Sequence, residues 1–96
     1  MKWLLLIRPE AEQDLALAHD WYEKKSAGLG EDFLDAISAA LREVVHSPER
    51  PRLYYRSFRR VLLRRFPYKI FYQVVAQRVV VFRVLHAKQD HPRGLT

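Results

Sequence analysis

The chain has no cysteine among its 96 residues, few glycines (3) and one methionine, and it lacks long hydrophobic runs. Without cysteine it can form no disulfide framework and no thiolate metal site, which fits a reducing compartment. The apolar run Trp3–Ile7 ends at Arg8. This run is too short for a signal-peptide core or a membrane span, so it predicts a buried strand and a cytoplasmic protein.

Carboxylates are scarce in the second half of the chain. Residues 1–48 contain 5 Lys/Arg and 9 Asp/Glu, a net charge of −4, whereas residues 49–96 contain 12 and 2, a net charge of +10. A hydrophobic fraction of 49% excludes a disordered chain, and the length suits one domain over residues 1–96. The basic half predicts an anionic partner, either nucleic acid or an acidic protein segment.

Apolar residues at helical spacing predict two helices, Pro9–Lys25 and Glu31–His46, joined by a short turn. Proline at the first position, early carboxylates and late lysines favour the first helix. The second helix carries its apolar stripe from Phe33 to Val44. Neither His19 nor His46 has ligand-like company, so both are expected on the surface.

The segment from Arg59 to His86 is rich in β-branched and aromatic residues and predicts a three-stranded meander. Its strands are Val61–Arg65, Tyr68–Val74 and Arg78–His86, the last two joined by a turn at Ala76. Leu53–Phe58 reads as a further irregular strand. Trp3–Ile7 is apolar on both faces, which predicts an interior strand. The order gives an α+β fold: a twisted antiparallel sheet packed on a two-helix hairpin.

Successive strand residues point to opposite faces, so each strand divides into two sets. The set expected to face the core is Val61, Leu63, Arg65, Tyr68, Ile70, Tyr72, Val80, Phe82 and Val84. The other set is Arg60, Leu62, Arg64, Lys69, Phe71, Val79, Val81, Arg83 and Leu85. This second face mixes apolar side chains with cations. It is covered either by a terminal segment of the chain itself or by another chain.

An ordered set of residues resembles the RelE/ParE superfamily of toxins from type II toxin–antitoxin systems, and most closely its ParE-like, plasmid-stabilisation branch. The residues that carry the resemblance are Ala11, Asp14-Leu15, Trp21-Tyr22, Gly28-Leu29-Gly30, Phe33-Leu34, Pro48, Arg59-Arg60, Arg65-Phe66-Pro67-Tyr68, Tyr72, Val84-Leu85-His86, Asp90 and Pro92. The resemblance implies a protein that arrests growth. It also implies neutralisation by a cognate antitoxin, whose acidic C-terminal segment would bind the basic half.

The resemblance leaves two modes of action. ParE-like members inhibit DNA gyrase without a demonstrated catalytic set, whereas RelE-like members cleave messenger RNA on the ribosome. The RelE-type set is broken, because Leu62 and Gln89 replace a lysine and an arginine and Leu95 stands near the place of a tail tyrosine. Gyrase inhibition is therefore the prediction, with no catalytic residues. The alternative, a ribonuclease, would use Arg60, Lys69, His86 and His91.

A third possibility is a non-toxic interaction module. In every case the residues expected to bind the antitoxin or the target are Arg60, Arg64, Lys69, Phe71, Val79, Val81, Arg83, His86, Lys88, His91 and Arg93. In this set Phe71, Val79 and Val81 are the apolar anchors. The sequence implies no metal and no organic cofactor, because four scattered histidines without cysteine make a poor ligand set.

Overall fold

The computed structural model describes residues 3–89, which form two helices and one five-stranded sheet. The elements are β1 Leu4–Ile7, α1 Pro9–Lys25, α2 Leu29–His46, β2 Leu53–Tyr55, β3 Phe58–Leu62, β4 Tyr68–Val75 and β5 Arg78–His86. The strand order across the sheet is β1-β5-β4-β3-β2. The predicted α+β fold, a sheet on a helical hairpin, is confirmed. The sheet is mixed, because β1 pairs with β5 in parallel and the other pairs are antiparallel.

The helical hairpin follows the sequence closely. Helix α1 has the predicted bounds, whereas α2 begins at Leu29 rather than Glu31. The earlier start follows from Glu23, whose carboxylate accepts the backbone N–H groups of Gly28 and Gly30, each at 2.9 Å. The helices approach closely here, since a Cβ added at Gly30 would lie 2.7 Å from the carbonyl oxygen of His19. Neither helix is long and apolar enough to cross a bilayer within the described residues.

The main core lies between the hairpin and one face of the sheet. Its buried members are Ala11, Ala18, Tyr22, Phe33, Ile37, Leu41, Val44, Leu63, Phe66, Ile70, Tyr72, Val79, Val81 and Val84. Tyr72 is fully buried, and its hydroxyl donates to the carbonyl oxygen of Pro48 at 2.7 Å. Burial raises the pKa of Tyr72 to about 12. This bond ties the segment after α2 to the centre of the sheet.

A β-bulge at Phe82 changes the faces predicted for β5. Phe71 pairs with Arg83 but Tyr72 pairs with Val81, so Phe82 is an extra residue in the ladder. Before the bulge, Val79 and Val81 therefore face the main core, at 0% and 1% exposure. The prediction that they lie on the second face, with Val80 and Phe82 in the core, is wrong.

The second face of the sheet has a small core of its own. Phe58, Phe71 and Leu85 are buried there, and Tyr54, Tyr55 and Phe82 pack against them. The ring of Tyr54 lies 5.8 Å from that of Phe71, and the ring of Phe58 lies 4.9 Å from that of Phe82. Side chains of β2 and of the bulge thus shield part of this face from water, so the chain itself supplies some of the contacts expected from another segment.

Two further strand predictions are corrected. The third strand runs from Phe58 to Leu62, earlier than the predicted Val61–Arg65, and a bend follows it. Arg65 is consequently exposed, with its guanidinium 3.2 Å from Asp32, rather than facing the core. Strand β1 lies at an edge of the sheet, not in its interior, and Leu4 is 57% exposed. Its two apolar faces were therefore no evidence of a central position.

Candidate functional site

A basic groove of about 760 Å³ lies between the C-terminal half of α2 and strand β3, and we call it the α2–β3 groove. Its floor is apolar and includes Ala40, Val44, Val61 and Leu63. Its cationic and histidine side chains are Arg42, His46, Arg50, Arg60 and Arg64. Among the described residues that line it, Glu43 is the one carboxylate. An apolar floor with a cationic rim suits a segment that carries both apolar and acidic side chains.

Two of the predicted cations, Arg60 and Arg64, are among the residues that line this groove. Arg60 lies on β3 opposite Phe71, and its guanidinium stacks on the ring of Tyr54, 3.9 Å from the centroid. Arg64 is exposed in the bend that follows β3. Lys69 pairs with Leu62 next to Arg60 on the second face. Partial burial, and secondarily the charge of Arg60, lower the pKa of Lys69.

Sequence reasoning missed three groove residues, Arg42, His46 and Arg50. Arg42 and His46 belong to the half of the chain with net negative charge, so counting charge by halves concealed them. Their spacing of four residues places them on one side of α2. That spacing was the signal that could have identified them, because the carboxylates of α2 concentrate in its first half.

His86 lies on the face opposite Lys69. It pairs with Tyr68 across the two strands, and their rings are 5.2 Å apart. Tyr68 packs against the main core, whereas Lys69 is the next residue and points the other way. His86 instead borders a groove beside α1, together with Trp21. The fold therefore does not bring His86 together with Lys69 and Arg60, and His91 lies outside the described residues.

Arg83 is engaged in an ion pair between the sheet and α1. Its Nε and Nη2 lie 2.7 and 2.9 Å from the two carboxylate oxygens of Asp14. Hydrogen bonding to Asp14 raises the pKa of Arg83. The backbone N–H of Val84 also donates to this carboxylate, at 3.0 Å. The carboxylate of Asp14 thus compensates the charge of Arg83, and this ion pair joins α1 to the sheet.

The remaining predicted binding residues fall into three places. Phe71, Val79 and Val81 are buried in the two cores, so in this conformation they are not surface anchors. Lys88 is exposed, and its backbone N–H donates to Nδ1 of His86 at 3.1 Å. Arg93 lies outside the described residues.

The side chains of the described residues form no metal site. Within residues 3–89, no group of three or more His, Asp or Glu side chains is placed to hold a metal ion. The acidic side chains around His19 form polar contacts within the helical hairpin instead. His19 contacts Asp20 and Glu31 through its two ring nitrogens, at 3.0 and 3.1 Å.

Solved toxin structures share this fold. A chain of the chromosomal ParDE toxin–antitoxin system from P. aeruginosa matches with a TM-score of 0.81 at 14% identity, covering 91% of this chain and 98% of that one. A double mutant of E. coli toxin RelE in the free state matches with a TM-score of 0.65 at 22% identity, covering 98% and 93%. The same mutant in complex with a peptide of the antitoxin RelBc gives 0.66 at 21%, with the same coverage. These identities are low, and the matches establish the fold.

Sequence comparison establishes the family. No curated protein matches the chain at a significant level. The family described as "ParE toxin of type II toxin-antitoxin system, parDE" matches residues 5–91, which include both helices and all five strands except Leu4. The chain therefore belongs to the ParE family of toxins of type II toxin–antitoxin systems.

Proposed function

We propose that this toxin arrests growth in the cytoplasm by inhibiting DNA gyrase, and that a cognate antitoxin neutralises it through an acidic C-terminal segment bound in the α2–β3 groove. The observation that carries the binding part is the charge of this groove, whose lining includes four arginines and one carboxylate. The similar RelE toxin has been solved in complex with a peptide of its antitoxin, which supports a peptide as the bound element.

The groove favours a partner with both apolar and acidic side chains. Apolar side chains of the partner would remove Val61 and Leu63 further from water, and its carboxylates would pair with the exposed Arg42 and Arg64 on the rim. Ion pairs at an exposed rim each contribute little and are screened by salt. The cations should therefore set the salt dependence and the rate of association, and the floor should set much of the affinity.

The separation of the candidate catalytic residues favours inhibition over RNA cleavage. General acid–base cleavage requires an acid and a base within hydrogen-bond reach of one scissile phosphate. Lys69 and Arg60 lie on one face of the sheet, and His86 lies on the other. Of the residues named for the ribonuclease alternative, the three described ones are thus divided between the two faces of the sheet, whereas inhibition of gyrase needs binding surfaces alone.

The binding proposal is tested with a charge-reversal pair. Arg64→Glu places a carboxylate at the rim and should weaken antitoxin binding by about tenfold at low salt, since one ion pair is lost and one repulsion is gained. Arg78→Glu is the matched control, because Arg78 is also exposed but lies at the β4–β5 turn, outside the residues that line the groove. Equal affinities for the two variants, measured by calorimetry, would refute the groove as the binding site.

The gyrase proposal is tested by two assays on one preparation. DNA supercoiling by gyrase should be inhibited, and messenger RNA on translating ribosomes should remain intact. His86→Ala should leave the inhibition unchanged. Cleaved RNA with active gyrase would replace this proposal by the ribonuclease alternative. If gyrase stayed active and the RNA stayed intact, the protein would be an interaction module without toxicity.

A further inference from the structure

The second face of the sheet carries positive charge that its own strands do not neutralise. The five strands contain five Lys or Arg residues and no Asp or Glu. Two of these cations, Arg60 on β3 and Lys69 on β4, are diagonal neighbours on the second face. Among the ion pairs within residues 3–89, none involves Arg60 or Lys69. An anion bound there would therefore meet two uncompensated charges and relieve their mutual repulsion.

Arginine side chains on this face are held in place by aromatic rings. Three guanidinium groups lie over ring centroids: Arg8 over Phe82 at 4.3 Å, Arg56 over Tyr55 at 5.2 Å and Arg60 over Tyr54 at 3.9 Å. A guanidinium fixed in one plane presents its N–H groups as a rigid fork, which suits the bidentate binding of a phosphate. Arg8 shares its charge with Glu10, 3.0 Å away. Arg56 and Arg60 are therefore the better candidates for binding an anion.

The apolar centre of the second face is closed. Phe58, Phe71 and Leu85 are buried there beneath side chains of β2 and of the bulge. A peptide partner depends on apolar anchors that enter pockets, and the apolar floor of the α2–β3 groove suits such anchors. The second face offers cations above a closed aromatic surface instead. This arrangement fits a polyanion with regularly spaced charges, which is the character of a nucleic-acid backbone.

We propose that the second face binds the sugar–phosphate backbone of duplex DNA, with Arg56, Arg60 and Lys69 in contact with phosphate oxygens. The choice of DNA rests on the proposed function, because gyrase acts on DNA and the toxin would contact the bound DNA together with the enzyme. Contacts to phosphates carry no sequence information. Binding to DNA alone should therefore be independent of sequence and weak, with a Kd of roughly 10⁻⁴ to 10⁻⁶ M at physiological salt.

The salt dependence of DNA binding measures the number of phosphate contacts. Binding of the toxin to a short mixed-sequence DNA duplex is followed by fluorescence anisotropy between about 50 and 200 mM salt. With three contacts, the slope of the logarithm of the association constant against the logarithm of the salt concentration should be about −3. Arg60→Gln should reduce this slope by about one, and Arg60→Gln combined with Lys69→Gln by about two. Absence of measurable binding at about 50 mM salt would overturn the inference.

Arg65→Gln is the matched control, because it removes the same charge from another arginine that lies over a ring. The Arg65 guanidinium is 5.2 Å from the centroid of Phe66 and 3.2 Å from Asp32 of α2, on the helical side of the sheet. Its removal should leave the slope as it is in the unaltered toxin. Equal losses for Arg60→Gln and Arg65→Gln would show that net charge alone causes the binding, and would overturn the inference.

Supercoiling assays with the same variants separate this inference from the proposed function. The double variant at Arg60 and Lys69 should need a several-fold higher concentration for half inhibition of gyrase, and an unchanged concentration would overturn the inference. Inhibition by a toxin that binds no DNA would also overturn it, but would leave the proposed function standing. DNA binding without inhibition would refute the proposed function and leave the DNA-binding face.

Two other occupants of the second face are distinguished by their own results. RNA of the same sequence, bound more tightly than the DNA duplex, would overturn the inference in favour of an RNA-binding face. The antitoxin would be the occupant if Arg60→Gln weakened its binding and left DNA binding unchanged, and this result would overturn the inference as well.

Discussion

The ion pair between Asp14 and Arg83 should be a principal stabilising contact between α1 and the sheet. The Asp14 carboxylate is 12% exposed and accepts three hydrogen bonds, two from the Arg83 guanidinium and one from the N–H of Val84. Removing one partner of a buried pair costs about 3–5 kcal/mol. The Arg83 side chain is 29% exposed and can regain water, which reduces the expected loss for Asp14→Ala to about 2–3 kcal/mol.

Chemical and thermal unfolding measure this loss. A decrease of about 2–3 kcal/mol in a domain of this size should lower the melting temperature by roughly 10–20 °C. Asp14→Asn keeps an acceptor for Val84 and should lose about half as much. The control is Asp32→Ala, which breaks the exposed pair with Arg65 and should cost less than about 1 kcal/mol. If the losses for Asp14→Ala and Asp32→Ala agreed within about 0.5 kcal/mol, the reasoning from burial would be refuted.

Three further predictions concern the core, a turn and the hairpin. Val81→Glu should abolish cooperative unfolding, seen by circular dichroism, because it buries a charge at a fully enclosed position, whereas Leu62→Glu at a 61% exposed position should leave the fold intact. Ala76 has φ 55, so Ala76→Gly should raise the free energy of unfolding by about 1 kcal/mol in urea titrations. Hydrogen bonds from Gly28 and Gly30 lower the pKa of Glu23. The ionised Glu23 therefore stabilises the fold above pH 4.5, the pKa of the unfolded chain, and this stabilisation is lost as the pH falls through the lower pKa of the folded state. In Glu23→Gln the urea midpoint should depend less on pH over that acidic range.

The helices could be predicted from sequence because their signals are local. The bounds of α1 are correct to the residue, since proline, early carboxylates and late lysines all mark its ends. The start of α2 was two residues late because the group that caps it comes from the neighbouring helix. A contact between helices leaves no periodic pattern in the sequence. The three strands of the meander could also be predicted, because apolar runs separated by turns are likewise a local signal.

The candidate site was recovered in part. Arg60 and Arg64 were identified by charge and do line the α2–β3 groove, but Arg42 and His46 come to it from a distant part of the chain. The assignment of Val79 and Val81 failed because both faces of β5 are apolar. With no polar alternation to fix the register, nothing in the sequence revealed the bulge.

That bulge makes β5 tolerant of a change in length at one position. On either side of Phe82 the ladder already pairs Val81 with Tyr72 and Arg83 with Phe71, and those two β4 residues are consecutive. Deleting Phe82 would thus leave every other pair and every face of the strand as it is, at the expense of the ring contacts with Phe58 and Arg8. A deletion elsewhere in β5 would turn all following side chains over. We therefore expect ParE-family sequences to align with this one through a gap at Phe82 more readily than at any other position of the strand.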